Sequence, residues 1–170
     1  MDRKQFLAGL GGIGAASFLG MRSTAAQSAR GDAHGPGKPK SEWKKLLPAA
    51  AYAVLFEEDT ERSFTSPLND EHRPGTFICA ACFQPLFDAR AKFDSGTGWP
   101  SFYEALPGRI ATKRDFRLIW PRAEYHCTVC GGHQGHVFDD GPAPTGKRYC
   151  NNGVALRFIP AGEAPPPLRA

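Results

Sequence analysis

Cys79-Ala80-Ala81-Cys82 and Cys127-Thr128-Val129-Cys130 decide the reading of this 170-residue chain, because each pair is spaced so that both sulfurs reach a single ion. Zinc bound by four thiolates is tetrahedral, with Zn–S bonds of about 2.3 Å, and two such knuckles complete the set. Forty-four residues lie between Cys82 and Cys127, too many for a compact ribbon, so one structural zinc is expected to staple two distant parts of a domain. The alternative is disulfide pairing, which an exported chain would permit. A bridge inside either knuckle would close a very short loop and stabilise the fold little. The fifth cysteine, Cys150 in Arg148-Tyr149-Cys150-Asn151-Asn152, is left outside the set.

Charge and the N-terminal pattern bound the partners and the compartment. The formal net charge is +4, and half of it comes from the first 26 residues, where Arg3, Lys4 and Arg22 face Asp2. What remains is no electrostatic footprint for nucleic acid, which argues against a nucleic-acid-binding zinc module. Asp2-Arg3-Lys4-Gln5-Phe6-Leu7, an uncharged Gly/Ala/Leu stretch over residues 6–21, and Ser23-Thr24-Ala25-Ala26 read as an export signal peptide over residues 1–26. The stretch is shorter than the roughly 20 residues of a membrane span, so stable membrane association after cleavage is not expected; an uncleaved anchor is the competing reading. Arg3-Lys4 followed by Phe6-Leu7 resembles a twin-arginine signal with lysine in the second basic position. The expected destination is the periplasm.

Residues 27–40, rich in Gly, Pro, Ser, Lys and His, read as a flexible linker, and residues 161–170, with Pro165-Pro166-Pro167, as an extended tail. Between them residues 41–160 are of single-domain size and are expected to act as a monomer. Ser41 is placed to cap a short helix through Leu47, and Pro48 suits the first turn of a second over residues 49–56. Thr76-Phe77-Ile78-Cys79, Asp115-Phe116-Arg117-Leu118-Ile119-Trp120 and Val154-Ala155-Leu156-Arg157-Phe158-Ile159 read as strands, being aromatic or β-branched and bounded by Gly, Pro or Asp. Fifteen prolines and nineteen glycines argue for a small, mainly β fold with short N-terminal helices that benefits from a metal staple.

Three further stretches carry a resemblance: Lys92-Phe93-Asp94-Ser95-Gly96-Thr97-Gly98-Trp99-Pro100-Ser101-Phe102, then His133-Gln134-Gly135-His136-Val137-Phe138-Asp139-Asp140-Gly141-Pro142, then Arg148-Tyr149-Cys150-Asn151-Asn152-Gly153. In order and spacing they resemble the peptide-methionine (R)-S-oxide reductases, and both knuckles fall where that family has them. The resemblance runs over residues 43–158. It implies two antiparallel sheets around a catalytic pocket with zinc away from the chemistry. It also implies reduction of methionine R-sulfoxide in oxidised proteins or peptides.

The side chains suit that chemistry. A thiolate is the one unmodified side chain here that attacks sulfur and keeps the oxygen as a sulfenic acid, and Cys150 is the candidate outside the metal set. Arg148 is a cation two residues away that would favour the thiolate. The sulfoxide oxygen needs a proton as its bond to sulfur breaks, a task for histidine. His133 and His136 alone could as well be metal ligands or structural; the resemblance assigns both to the site, with His136 as general acid and His133 orienting it. Asp140 and Arg148 extend this polar group, and the resemblance adds Asn152. Trp99 is a rigid wall for the substrate methyl, with Phe138 a second. Many relatives carry a resolving cysteine where this chain has Thr97, so an external thiol reductant, thioredoxin-like or small-molecule, is expected here. A non-catalytic zinc module and a thiol peroxidase are the rival readings. The first leaves Cys150 and the histidine pair unexplained, the second Trp99.

Overall fold

The structure, a computed structural model, describes residues 37–115 and 122–169. The expected signal peptide, residues 27–36 of the expected linker, and residues 116–120 of one expected strand lie outside the described residues. Among the described residues no helix is long and apolar enough to cross a membrane.

Two short helices lead the fold, α1 over Lys40–Leu46 and α2 over Ala49–Glu57. Each is entered from a proline at its N-cap, Pro39 and Pro48, whose fixed φ suits a helix start. The expected Ser41 cap is not used, because the helix already begins at Lys40. α2 is apolar nearly all round, and Ala51, Tyr52, Val54, Leu55 and Phe56 are all buried, as a helix covered on most sides requires.

Among the described residues nine short strands follow: β1 Gly75–Cys79, β2 Pro85–Asp88, β3 Lys92–Phe93, β4 Ser101–Phe102, β5 Ile110–Asp115, β6 Arg122–Cys127, β7 His133–Phe138, β8 Arg148–Asn151 and β9 Leu156–Pro160. They form two antiparallel sheets, one ordered β2-β1-β9 and the other β3-β4-β8-β7-β6-β5. β5 reaches Asp115, the first residue of the strand expected over 115–120; the rest of that strand lies outside the described residues. The expected strand from Val154 begins instead as a 3-10 turn over Gly153–Ala155, with β9 starting at Leu156.

The core is an aromatic seam between the sheets. Phe87 of β2 stacks on Phe102 of β4 at 4.2 Å between ring centroids, Phe77 of β1 meets Phe102 edge-on at 4.9 Å, and Tyr125 of β6 meets Tyr149 of β8 at 5.4 Å. Such offset and edge-on pairs add about 0.5–1.5 kcal/mol each beyond the area they bury. On the helical side Trp43 stacks on Phe56 at 5.7 Å and is fully buried. The tail is tied down at its far end, where Arg169 N–H donates to the Cys82 carbonyl at 2.9 Å and the guanidinium to Ala81 and Ala80 carbonyls.

β7 and β8 lie so close at Gly135 that a Cβ there would sit 1.9 Å from the Cys150 carbonyl oxygen. Gly135→Ala is therefore expected to cost about 1–3 kcal/mol of stability, as overpacking does. The measurement is the urea unfolding midpoint, and an unchanged midpoint would contradict this approach of the two strands.

Candidate active site and metal centre

The two knuckles are built alike. Cys79 N–H donates to the Gln84 carbonyl and Phe83 N–H returns to the Cys79 carbonyl, at 2.8 and 2.9 Å. Cys127 and Gly131 repeat the pattern, with Gly132 as acceptor, at 3.0 and 2.9 Å. Each turn closes on a left-handed residue, Phe83 at φ 67° and Gly131 at φ 70°. Glycine adopts this freely; Phe83 is held there with the Arg157 and Arg169 guanidiniums over its ring at 5.1 and 4.3 Å.

All four cysteines are buried, and their sulfurs lie within 4.8 Å of one another, close enough to hold one metal ion. A tetrahedron with bonds of about 2.3 Å has edges of roughly 3.8 Å. Cys79 and Cys130 are 3.7 Å apart and Cys82 and Cys127 3.4 Å, so the donor set fits a tetrahedral ion. None of the four is in a disulfide. Burial pushes the Cys79 thiol well above its ordinary range, so four thiolates persist together here only around a cation. Two buried amides point N–H groups at the sulfurs: Gln84 Nε2 to Cys127 and Gln134 Nε2 to Cys79, both at 3.3 Å. Such outer contacts orient a ligand set. Sequence reading passed over both glutamines, which carry no marker outside the fold.

Cys150 lies on β8 and lines a cavity of about 110 Å³ together with Trp99, His136, Phe138, Asn152, Thr60, Arg122 and the glycine at 135. His136 faces it across the β7–β8 register. Trp99 is fixed by its indole N–H, which donates to the Glu61 carbonyl at 2.9 Å. Glu61 also holds the Asn152 turn: its N–H donates to Asn152 Oδ1 at 2.9 Å and its carboxylate accepts from Gly153 N–H at 2.6 Å. This acid stood in the sequence without any sign of that work.

Of the expected site residues, Cys150, His136, Asn152, Trp99 and Phe138 line the cavity, while His133, Asp140 and Arg148 are not among its lining residues. His133 is buried, with Nδ1 2.9 Å from Glu124 Oε1 and its ring 5.4 Å from that of His136. Glu124 in turn faces Lys113 at 3.2 Å; burial pushes its carboxyl up, but bonding to His133 and Lys113 prevails and leaves it lowered. Arg148 makes a two-pronged pair with Asp140, both contacts at 2.8 Å, and lies over the Phe138 ring at 4.3 Å. The arginine side chain is 11% exposed and the aspartate 62%, so Asp140 faces solvent and holds Arg148 in place from outside.

His136 Nε2 lies 2.9 Å from Asp115 Oδ2, and the same oxygen accepts from Arg122 at 2.9 Å. Asp115 and Arg122 were not foreseen, since an acid closing a strand has no motif. Burial lowers the His136 pKa below 6.5, and the Asp115 bond opposes it incompletely. Burial likewise raises the Cys150 thiol, against the pull of Thr97, Arg148 and Ser101. Arg148 favours the thiolate as its charge leads one to expect, but desolvation outweighs it and the thiol stays raised.

Residues 47–160 match the SelR domain family. The chain is 50% identical over 122 residues to a peptide methionine sulfoxide reductase MsrB of Methanosarcina barkeri, covering 71% of this chain and 86% of that one. The chain belongs to the MsrB family. It is 49% identical over 124 residues to the MsrB of Thiobacillus denitrificans, covering 72% of this chain and 94% of the relative. A chloroplastic peptide methionine sulfoxide reductase B1 of Arabidopsis thaliana is 50% identical over 120 residues, 70% of this chain and 59% of the plant protein. The match thus spans most of the microbial relatives' length and less than two thirds of the plant one's.

Cys79→Ser is expected to lose bound metal and to melt at a lower temperature, whereas Cys150→Ser keeps both the metal and its melting point. Metal content by atomic emission and melting by circular dichroism check this. Full metal retention in Cys79→Ser would remove that residue from the ligand set.

Proposed function

We infer that this chain reduces methionine R-sulfoxide in oxidised proteins and peptides, with Cys150 as nucleophile. The observation that carries the reading is one small cavity in which a free cysteine faces a histidine between two aromatic walls. The Cys150 thiolate and a proton react with the sulfoxide to give the thioether and Cys150 sulfenic acid; sulfur of the substrate is reduced and Cys150 oxidised. His136 supplies the proton to the departing oxygen, with Asp115 holding Nε2 and His133 packed beside its ring. Trp99 and Phe138 receive the methyl group, and Asn152 orients the substrate from the cavity wall. Arg148, held by Asp140, adds positive charge beside the sulfur.

Zinc is the ion that four buried thiolates at tetrahedral spacing suit best, and it acts as a staple outside the reaction. Two external thiols, on a thioredoxin-like protein or as small molecules, reduce the sulfenic acid to the thiol and water and leave as a disulfide. No second free thiol lines the cavity; Thr97 Oγ1 lies 4.0 Å from Cys150 Sγ. The enzyme works as a monomer, exported to the periplasm through the signal at residues 1–26, where a twin-arginine route would carry it folded with its metal loaded.

The decisive assay gives purified protein and dithiothreitol each epimer of a blocked methionine sulfoxide, and hydrogen peroxide separately. Turnover of the R epimer alone is expected, and peroxide consumption without it would make the protein a peroxidase. With one equivalent of substrate and no reductant, intact mass is expected to show one added oxygen, trappable by dimedone, with metal retained and no disulfide. Cys150→Ser is expected to show neither turnover nor the added oxygen. A disulfide accompanied by metal loss would mean that a knuckle cysteine resolves the intermediate.

The pH dependence follows from the two shifted groups. The reactive pair, thiolate plus imidazolium, carries one titratable proton in total, so activity is lost when the pair takes up a second or gives up the one it has. The acid limb is therefore set by His136, below its ordinary 6.5, and the alkaline limb by Cys150, above its ordinary 9.0. His136→Ala should slow single turnover on the order of 10²-fold and move the midpoint of the acid limb from the His136 value up to that of the Cys150 thiol. An acid-limb midpoint left unchanged in this variant would assign that limb to another group.

A further inference from the structure

Three hydroxyls line up behind the Cys150 sulfur. Thr97 Oγ1 lies 4.0 Å from Sγ, the outer reach of a hydrogen bond to sulfur. Thr97 Oγ1 is 2.8 Å from Ser95 Oγ, and Ser95 Oγ is 2.7 Å from Ser101 Oγ. Ser101 is fully buried, stands opposite Cys150 in the β4–β8 register, and donates to the Trp99 carbonyl at 3.1 Å. Each hydroxyl carries one hydrogen and so donates once.

That count defines two states. With Cys150 as a thiol, S–H points to Thr97, Thr97 donates to Ser95, Ser95 to Ser101 and Ser101 to the Trp99 carbonyl, every hydrogen running one way. When the thiol ionises, its sulfur only accepts. Thr97 then turns its hydrogen to the thiolate, Ser95 donates to Thr97 and Ser101 to Ser95. All three contacts persist with their direction reversed, and the bond given up is the long one to the Trp99 carbonyl. Hydrogen bonds to an ionised acceptor are shorter and about twice as strong as neutral ones, so the reversal favours the thiolate.

We propose that Thr97, ordered by Ser95 and Ser101, is a positioning residue that stabilises the Cys150 thiolate through this reversible chain of hydroxyls. The proposal rests on Cys150 being the nucleophile. It gives the threonine a task of its own: it serves the attacking sulfur directly. Burial works against ionisation of Cys150, and among the groups that oppose burial Thr97 comes first, ahead of Arg148 and Ser101. The other charged or titratable groups facing the sulfur are His136 on β7, Arg122 across the cavity and the Tyr125 phenol on β6. None of these belongs to the hydroxyl chain, so its contribution can be separated from theirs.

The test is the pH profile of Cys150 alkylation by iodoacetamide in the metal-loaded protein, with the modified residue mapped by mass spectrometry. Thr97→Val is expected to move the midpoint up by about 0.5–1 unit, a three- to tenfold loss of thiolate near neutral pH, because one hydrogen bond to the charged form is removed. Thr97→Ser is expected to restore the original midpoint, and Ser95→Ala to give a smaller upward shift. Should Thr97→Val fold poorly, Ser95→Ala and Thr97→Ser carry the comparison. An unshifted midpoint in Thr97→Val, or in Ser95→Ala where that carries the comparison, overturns the proposal, as does a shift that serine fails to reverse. Methionine sulfoxide turnover by the unaltered protein is measured alongside. Its absence would sink the assignment of Cys150 as nucleophile, while the alkylation profile reports on the hydroxyls independently.

Discussion

Four sulfur atoms from two distant turns converge within 4.8 Å, close enough for one metal ion to tie the turns together. Two of them sit at the end of β1 in the smaller sheet, and two join β6 to β7 in the larger one. A domain of this size with short strands, three 3-10 turns and many prolines has limited regular backbone hydrogen bonding, so a tie between the sheets stabilises more than it would in a longer-stranded fold. The tie is also sensitive to charge. Burial opposes ionisation of the Cys79 thiol, and a bound cation would favour the thiolate form of all four sulfurs.

The tie reaches the cavity through one buried side chain. Gln134 donates to Cys79 Sγ at 3.3 Å, while its backbone carbonyl accepts from both the backbone N–H and the side-chain amide of Asn152, at 2.9 and 3.0 Å. Asn152 then fixes Glu61, and Glu61 fixes the Trp99 indole. A displacement at the metal therefore has a short route of hydrogen bonds to the cavity wall. The centre can shape the site in this way without touching the reacting atoms.

Burial sets the chemistry of the two facing groups in opposite directions. Cys150 is pushed up and His136 down, because burial disfavours the charged form, which is the deprotonated one for the thiol and the protonated one for the imidazole. Around the thiol Thr97, Arg148 and Ser101 counter that burial, and around the histidine Asp115 does so while the Arg122 charge adds to it. The cavity is thus dry enough for an apolar methyl and still carries groups that recover part of the lost solvation.

The chain by itself determined the knuckles, the leftover cysteine, the histidine pair and the short β-rich pattern, because these depend on residue type at fixed local spacing. The turn geometry at Phe83 and Gly131, for instance, follows from five consecutive residues closing on themselves. Strand limits were less legible: β5 carries no hydrophobic signal, since Thr112, Lys113 and Arg114 are exposed in succession and leave no apolar alternation. Only the tertiary structure decided that Glu61, 91 residues from Asn152, fixes the cavity wall, that Asp115 and Arg122 flank His136, and that Gln134 spans metal centre and cavity. It also decided the sign of the Cys150 shift. The reason is the same in each case: hydrogen-bond partners and desolvation are properties of what the fold brings together from distant parts of the chain, and local sequence records only the group, never its surroundings.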